Sequence, residues 1–352
     1  MEDYFLWRKG ERVGFRIPST WKVLNNAVLE SETVSRPVYE LVDEALRKPT
    51  GTPPLKELIK PADRVAVVVD DCTRPTPREA ILSCLLDRLQ EYGVPSDQVD
   101  IVFALGTHRP MTEAEIRQAL GPDIMKRVSY WNHDAWAADL VPVGTLSSAG
   151  TIKINPIVAA ADFRITVGSI LPHPMNGFGG GAKNVFPGVA NFDAIRDHHN
   201  ALMVADGVAF GKIKDNPFLV EVCEAARMAG LNFMINAVYD PNEEVKAIVA
   251  GDFIEAYEQG VAMSLNEYAM TIAEQADVTI ASTFPYEEGP QLIKPLCPAA
   301  EITRDGGVVI LYAGRIVGGR LPDALIGAFD AAHASGCTDM KELVLTCMKE
   351  GR

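Results

Sequence analysis

The chain has 352 residues, 47% hydrophobic and 23% charged, an ordinary globular composition, and at this length two domains are expected rather than one core. Its 47 acidic residues against 33 basic ones leave a formal charge of −14. That balance argues against nucleic acid and anionic membrane surfaces, which reward basic patches, and for a small molecule held by a few local cations. Six cysteines (Cys72, Cys84, Cys223, Cys297, Cys337, Cys347) form no C-x-x-C pair. The N-terminal MEDYFLWRKG lacks the apolar run of a signal peptide, and no stretch is long enough to span a bilayer. A reducing, cytoplasmic setting is the expectation.

The first sixty or so residues read as a short-stranded or irregular lead-in, then a helix at VYELVDEALRK and a Pro/Gly turn region, PTGTPPLKELIKP. The clearest unit follows, RVAVVVDDCTRPTPREAILSCLLDRLQEYGV. Val65 to Val69 is a β-branched apolar run, expected as a buried strand. Thr76, Pro77 and Glu79 have the pattern of an N-cap, a first helical position and a capping box. Ile81, Leu82, Leu85, Leu86 and Leu89 give the helix a buried face. VDIVFALG predicts a second strand, THRPM a loop, and Thr112 with Glu115 another capping box. DFRITVGSI predicts a third strand, feeding the glycine-rich HPMNGFGGGAK.

Beyond Asn216-Pro217 a helix over Phe218 to Met228 precedes two paired strands, LNFMINAVYD and EVKAIVAG, and a helix at AGDFIEAYEQGVAMSLNEYA. ADVTIAST and GGVVILYAG then restart the alternation. Strands alternating with helices define an α/β protein with parallel-rich sheets. Two α/β domains are expected, residues 1–265 and 266–352, with the C-terminal segment free to pack back on the first. Ligands gather at the carboxyl ends of such strands, where all three polar loops fall.

The loop residues carry the chemistry. Arg74, among the turn formers of DDCTRP, suits a carboxylate or phosphate. His108, in GTHRP, suits general acid/base work near neutral pH. Lys183 closes the glycine loop. That loop is a poor dinucleotide motif, since Pro187-Gly188 interrupts the helix the motif needs, and the glycine spacing is wrong for a phosphate loop. A lysine in a cleft forms covalent bonds once its pKa falls. Of the adjacent His198 and His199, at most one is expected to bind a metal from a regular element. Gln291 and Lys294 stand one helical turn apart, a donor pair suited to an anion. His133 and His333 read as structural.

Taken together, DDCTRPTP (70–77), GTHRPMT (106–112), HPMNGFGGGAKNVFPG (173–188), DHHN (197–200) and Q-x-x-K (291–294) resemble the nickel-pincer lactate racemases and their homologues. The resemblance covers residues 35–300 or so and implies an active site in the cleft between two α/β domains. It implies a cofactor, the nickel-pincer nucleotide, joined covalently to Lys183, with Gly179, Gly180 and Gly181 giving it room. One histidine, His199 with His198 as the alternative, would ligate nickel. His108 and His173 would be the two acid/base groups, while Asp71, Arg74, Gln291 and Lys294 would orient cofactor or substrate.

The implied reaction is racemisation or epimerisation of a 2-hydroxy acid, by reversible hydride transfer through a 2-keto acid. The implied partners in the cell are the cofactor-assembly enzymes. Two departures, Pro174-Met175-Asn176 after the loop histidine and Trp136 as the last tryptophan, point to an acid larger or more polar than lactate. The competing expectations are a non-catalytic nucleotide- or carboxylate-binding protein and an NAD-dependent dehydrogenase.

Overall fold

The computed structural model describes residues 4–8, 11–26, 36–283 and 294–313. The chain divides into two compact units, residues 29–269 and a second that joins 1–28 to 270–352. A single cut near residue 265 therefore does not describe the chain, because its first residues group with its last. The N-terminal hairpin of β1 (Tyr4–Arg8) and β2 (Glu11–Phe15) lies against β13 (Ala276–Ser282). In the same unit β13 pairs in parallel with β14 (Thr303–Tyr312), which follows α9 (Leu296–Glu301).

The larger unit is an α/β layer structure. In chain order it holds α1 (Val38–Arg47), α2 (Leu55–Leu58), β3 (Val65–Asp70), α3 (Arg78–Glu91), β4 (Val99–Ala104), α4 (Glu113–Arg127) and β5 (Ser129–Asn132). There follow β6 (Val141–Leu146), β7 (Gly150–Ile154), α5 (Pro156–Ala160), β8 (Phe163–Ser169), β9 (Pro172–His173), β10 (Gly177–Phe178) and α6 (Phe192–Leu202). The unit closes with α7 (Pro217–Met228), β11 (Phe233–Tyr239), β12 (Val245–Gly251) and α8 (Glu255–Tyr268).

Six strands form the central sheet in the order β12-β11-β8-β3-β4-β5. All pairings are parallel except β11 with β12. Alternation along β3 shows how the sheet is buried on both faces: Val65, Val67 and Val69 enter one core, Ala66 and Val68 the other. Helices α1, α3 and α4 cover the first face and α5 to α8 the second. Leu82, Leu85 and Leu89 of α3 are fully buried, each stabilising the fold by roughly 1.5–3 kcal/mol.

From β3 the chain winds outward to β4 and β5, then returns to β8 on the other side of β3. The crevice beyond the carboxyl ends of β3 and β8 is thus a topological switch point, where doubly wound sheets bind ligands. The strands expected from the sequence in this unit all form. The capping box of Thr112 and Glu115 also forms, whereas that of Thr76 does not. Pro77 is the N-cap of α3, and the Thr76 hydroxyl is drawn inward instead, 2.5 Å from Asp70 Oδ2 and 2.6 Å from Ser169 Oγ. Asp70 is buried and needs donors more than the helix end does.

Candidate active site

Four of the expected residues, Asp71, Arg74, His108 and Lys183, meet at the switch point. The loop after β3 folds back as Asp71 Oδ1 accepts from the Thr73 amide (3.0 Å) and the Thr73 hydroxyl (2.5 Å). The other oxygen of Asp71, Oδ2, lies 2.5 Å from Nδ1 of His108, which the loop after β4 brings across. Burial would raise the Asp71 pKa, but the His108 bond and charge, then Arg74 and Thr73, outweigh it and hold the carboxyl far below its usual range. An ionised Asp71 accepts a hydrogen bond from Nδ1–H of His108, so in the neutral ring the lone pair lies on Nε2.

Arg78, in the first turn of α3, fixes the geometry of this loop. Its guanidinium, 7% exposed, donates to the carbonyls of Asp70 (2.9 Å), Arg74 (3.0 Å), Thr76 (3.3 Å) and Asp71. It also pairs with Asp70 Oδ1 at 3.1 Å. Sequence reasoning passed over Arg78, although a cation in the first turn of a helix opposes the dipole and so signals a specific task. Asn236, a lone amide within the apolar FMINAVY of β11, was missed likewise. It is fully buried and accepts from the Gly181 amide at 2.8 Å.

Lys183 follows the glycine loop, in a single 3-10 turn over Gly181–Asn184. Burial, then the nearby Arg74 charge, lowers its ammonium pKa to about 7, with Asp71 opposing only in part. Among the described residues its Nζ forms no ion pair. The glycines themselves are buried. At Gly180 (φ 81°) a Cβ would stand 2.8 Å from Asn236 Oδ1 and 3.0 Å from the Ser169 carbonyl, so glycine is needed for packing against the sheet edge.

DHHN, where no helix is expected from the sequence, lies on α6. His199 Nδ1 lies 2.8 Å from the Ile195 carbonyl one turn back, so Nδ1 donates and the lone pair is on Nε2. Burial, then the charges of Lys183 and His198, lowers its pKa to about 3. The influence of Lys183 on His199, like that of Arg74 on Lys183, puts these groups in one neighbourhood. His198 is fully buried with its ring edge-on to Phe186 (5.0 Å) and Phe218 (4.3 Å). Neither of its nitrogens reaches hydrogen-bonding geometry, though the Phe218 backbone lies near, and burial lowers its pKa to about 4.

His173 ends β9, just past β8, and its Nδ1 accepts from the amides of Met175 and Asn176, each 3.2 Å away. Asn176 is fully buried and its amide donates to the Phe178 carbonyl at 2.7 Å. Gln291 lies outside the described residues. Lys294 belongs to the smaller unit, where its carbonyl accepts from Cys297 ahead of α9. His133 is structural as expected, its Nε2 2.9 Å from the Ala190 carbonyl, and His333 lies outside the described residues. Among the described residues no three His, Cys, Asp or Glu side chains converge on a metal position. None of the described helices is long and apolar enough to cross a membrane.

The fold and this edge define a doubly wound α/β protein with paired carboxylates, imidazoles and a weakly basic lysine at its switch point. The chain belongs to the lactate racemase family: residues 11–211 match the family model for the lactate racemase N-terminal domain. Relatives include lactate racemases of Thermoanaerobacterium thermosaccharolyticum, 30% identical over 279 residues, and of Lactiplantibacillus plantarum, 31% identical over 280. Each alignment covers 78% of this chain but only 65% and 66% of the relative, so the chain spans about two thirds of their length. The lactate racemase apoprotein of the former organism superposes with a TM-score of 0.81 at 24% identity, over 98% of this chain and 85% of that one. A Thermotoga maritima protein gives 0.62 at 23%, over 89% and 83%. These two likenesses establish the fold.

Proposed function

We propose that the chain racemises or epimerises a 2-hydroxy acid, using a nickel-pincer nucleotide carried covalently on Lys183 with its nickel on His199. The observation that carries this reading is Lys183, an amine whose pKa of about 7 leaves a nucleophilic fraction at neutral pH, next to an oriented imidazole. The residues fit the group. His199 has its Nδ1–H on a backbone carbonyl, the usual support of a metal-bound histidine. The described chain assembles no three-ligand site, so the remaining nickel ligands would arrive with the cofactor. His198, enclosed by Phe186 and Phe218, is the poorer candidate.

When bound, the cofactor would supply a reversible hydride acceptor. The chain's own residues do the rest. His108 Nε2 takes the hydroxyl proton, and ionised Asp71 stabilises the imidazolium that forms. Arg74 holds the substrate carboxylate, or an anionic group of the cofactor, beside Lys183. His173 is the second imidazole at the reacting oxygen, and Gly179, Gly180 and Gly181 carry Lys183 to the cofactor. The four described cysteines, Cys72, Cys84, Cys223 and Cys297, are free, in keeping with a reducing cytoplasm where cofactor-assembly enzymes would meet the chain.

The test is the intact mass of chain co-expressed with those assembly enzymes. A nickel-containing adduct is expected, and Lys183→Ala should abolish both adduct and turnover. No adduct with tight NAD binding would mark a dehydrogenase, and reversible nucleotide binding without turnover a binding protein. For the substrate we propose an acid larger or more polar than lactate. In a panel of single enantiomers, lactate as the best substrate by far would overturn that choice.

A further inference from the structure

The Asp71–His108 pair joins two loops, and its two members are anchored very differently. Asp71, 5% exposed, is fixed by Thr73 and by the grip of Arg78 on the neighbouring carbonyls. His108 has a side chain 43% exposed, so water competes for its Nδ1 whenever the loop after β4 drifts. That loop is pinned near its two ends. The Gly106 amide donates to the Gly188 carbonyl at 2.8 Å, and Met111 exchanges hydrogen bonds with the Asn132 side chain at 3.2 and 2.9 Å.

Between those pins a further hold reaches the loop through a residue that the proposed reaction does not use. Glu115, in the first turn of α4, receives a bidentate fork from Arg109, Nη2 to Oε1 at 2.6 Å and Nη1 to Oε2 at 2.9 Å. Its Oε2 also accepts from the Thr112 amide and hydroxyl, at 2.7 and 2.9 Å, which roots the carboxylate in the helix end. Oε1 faces the Cys72 thiol, on the loop after β3, at 3.8 Å. Arg109 follows His108 and Cys72 follows Asp71, so one carboxylate holds the next residue along from each member of the pair. The arginine of this ion pair is half exposed, and such pairs add little stability. What a bidentate fork adds is direction.

We infer that Glu115 is a positioning residue, bracketing the two loops so that His108 keeps Nδ1 on Asp71 and leaves Nε2 for the substrate hydroxyl. Its part in turnover rests on the proposed reaction; the bracket itself does not. With Glu115 in place, the half-exposed imidazole is held in one tautomer against the buried carboxylate. Without it, the loop after β4 keeps its end pins but loses the fork beside His108, and water shares Nδ1 with Asp71. The competing role for Glu115 is that of a helix cap alone, and glutamine separates the two. Glutamine completes a capping box as glutamate does, but it offers one acceptor oxygen instead of two, and no charge.

Two measurements test this. In cofactor-free chain labelled with 15N-histidine, the signals of His108 are those lost in His108→Gln. At about pH 8, where an ordinary imidazole is neutral, wild-type Nδ1 should read as protonated and Nε2 as unprotonated. Glu115→Gln should mix in the Nε2–H tautomer, while its unfolding midpoint in urea stays close to that of the wild type. Arg109→Met should do the same, and the double variant should do no more than either single one. A Glu115→Gln chain that keeps the wild-type tautomer overturns the bracket, as does a double variant whose effect is the sum of the two. In loaded enzyme, Glu115→Gln should lose about 10–10²-fold in kcat, with KM within about twofold of wild type. An unchanged kcat overturns its part in turnover. If wild-type loaded chain turns over no 2-hydroxy acid, the proposed reaction fails, and the labelling arm, which needs no cofactor, still decides the bracket.

Discussion

The loops after β3 and β8 leave neighbouring strands of one sheet and are held by opposite means. The first is bound by charge: Arg78 grips four of its carbonyls, and Asp71 is tied to Thr73 and His108. The second is bound by shape: buried glycines press its backbone against Ser169 and Asn236, and amides secure the hairpin. The difference follows from what each loop presents. Asp71 must stay ionised, so cations and donors surround it. Lys183 must shed its proton readily, so peptide and hydrocarbon surround it and Arg74 repels its charge.

The sharpest test of this contrast is to remove the charge from the loop held by shape. Lys183→Met should abolish turnover, yet stabilise the cofactor-free chain below about pH 7. There the wild-type folded state bears a poorly hydrated ammonium, a penalty relieved as pH rises from about 7 toward the ordinary 10.5. The stability gain in denaturant titrations should therefore shrink over that window. A gain independent of pH would mean that Lys183 is not desolvated.

Next comes the loop held by charge. Arg78→Met leaves Asp70 buried without its ion-pair partner, and should cost about 3–5 kcal/mol by chemical denaturation. A loss under about 1 kcal/mol would place the stability of that loop elsewhere. The smallest effect belongs to backbone shape. Gly180→Ala puts a methyl group against Asn236 and the Ser169 carbonyl, and should cost about 1–3 kcal/mol. Gly150→Ala, at φ 64° with nothing within 4 Å, meets only the backbone strain, about 1–2 kcal/mol. Equal losses at the two glycines would leave close packing without a role.

What the sequence disclosed, and what it hid, divides along the same line. The Val65–Val69 run, the Ile81 to Leu89 face and the strands around Ile165 and Ile235 were legible because burial on both faces writes itself as apolar runs. Asp71, Arg74, His108 and Lys183 were legible as polar residues placed where strands end. Thr76 misled because a threonine before Pro77 suits a cap equally well, and only the fold brings Asp70 and Ser169 within reach. Helix α6 does carry an apolar face, Phe192, Ala194, Ile195 and Leu202, but the histidines of DHHN fall between its two ends and interrupt the apolar spacing. The tautomer of His108 depends on a partner, Asp71, that no spacing reveals.

Asn176 and its hairpin bear on any attempt to retune what this chain accepts. Pro174, Met175 and Asn176, directly after the loop histidine, invite mutagenesis aimed at selectivity. Yet Asn176 points inward, Met175 is tethered through Asn216 to the start of α7, and both amides occupy His173. A library built there would screen mostly for misaligned imidazoles and loosened helices, and its survivors would be those that restore the hairpin. Diversity is better spent on positions whose polar groups carry no second obligation.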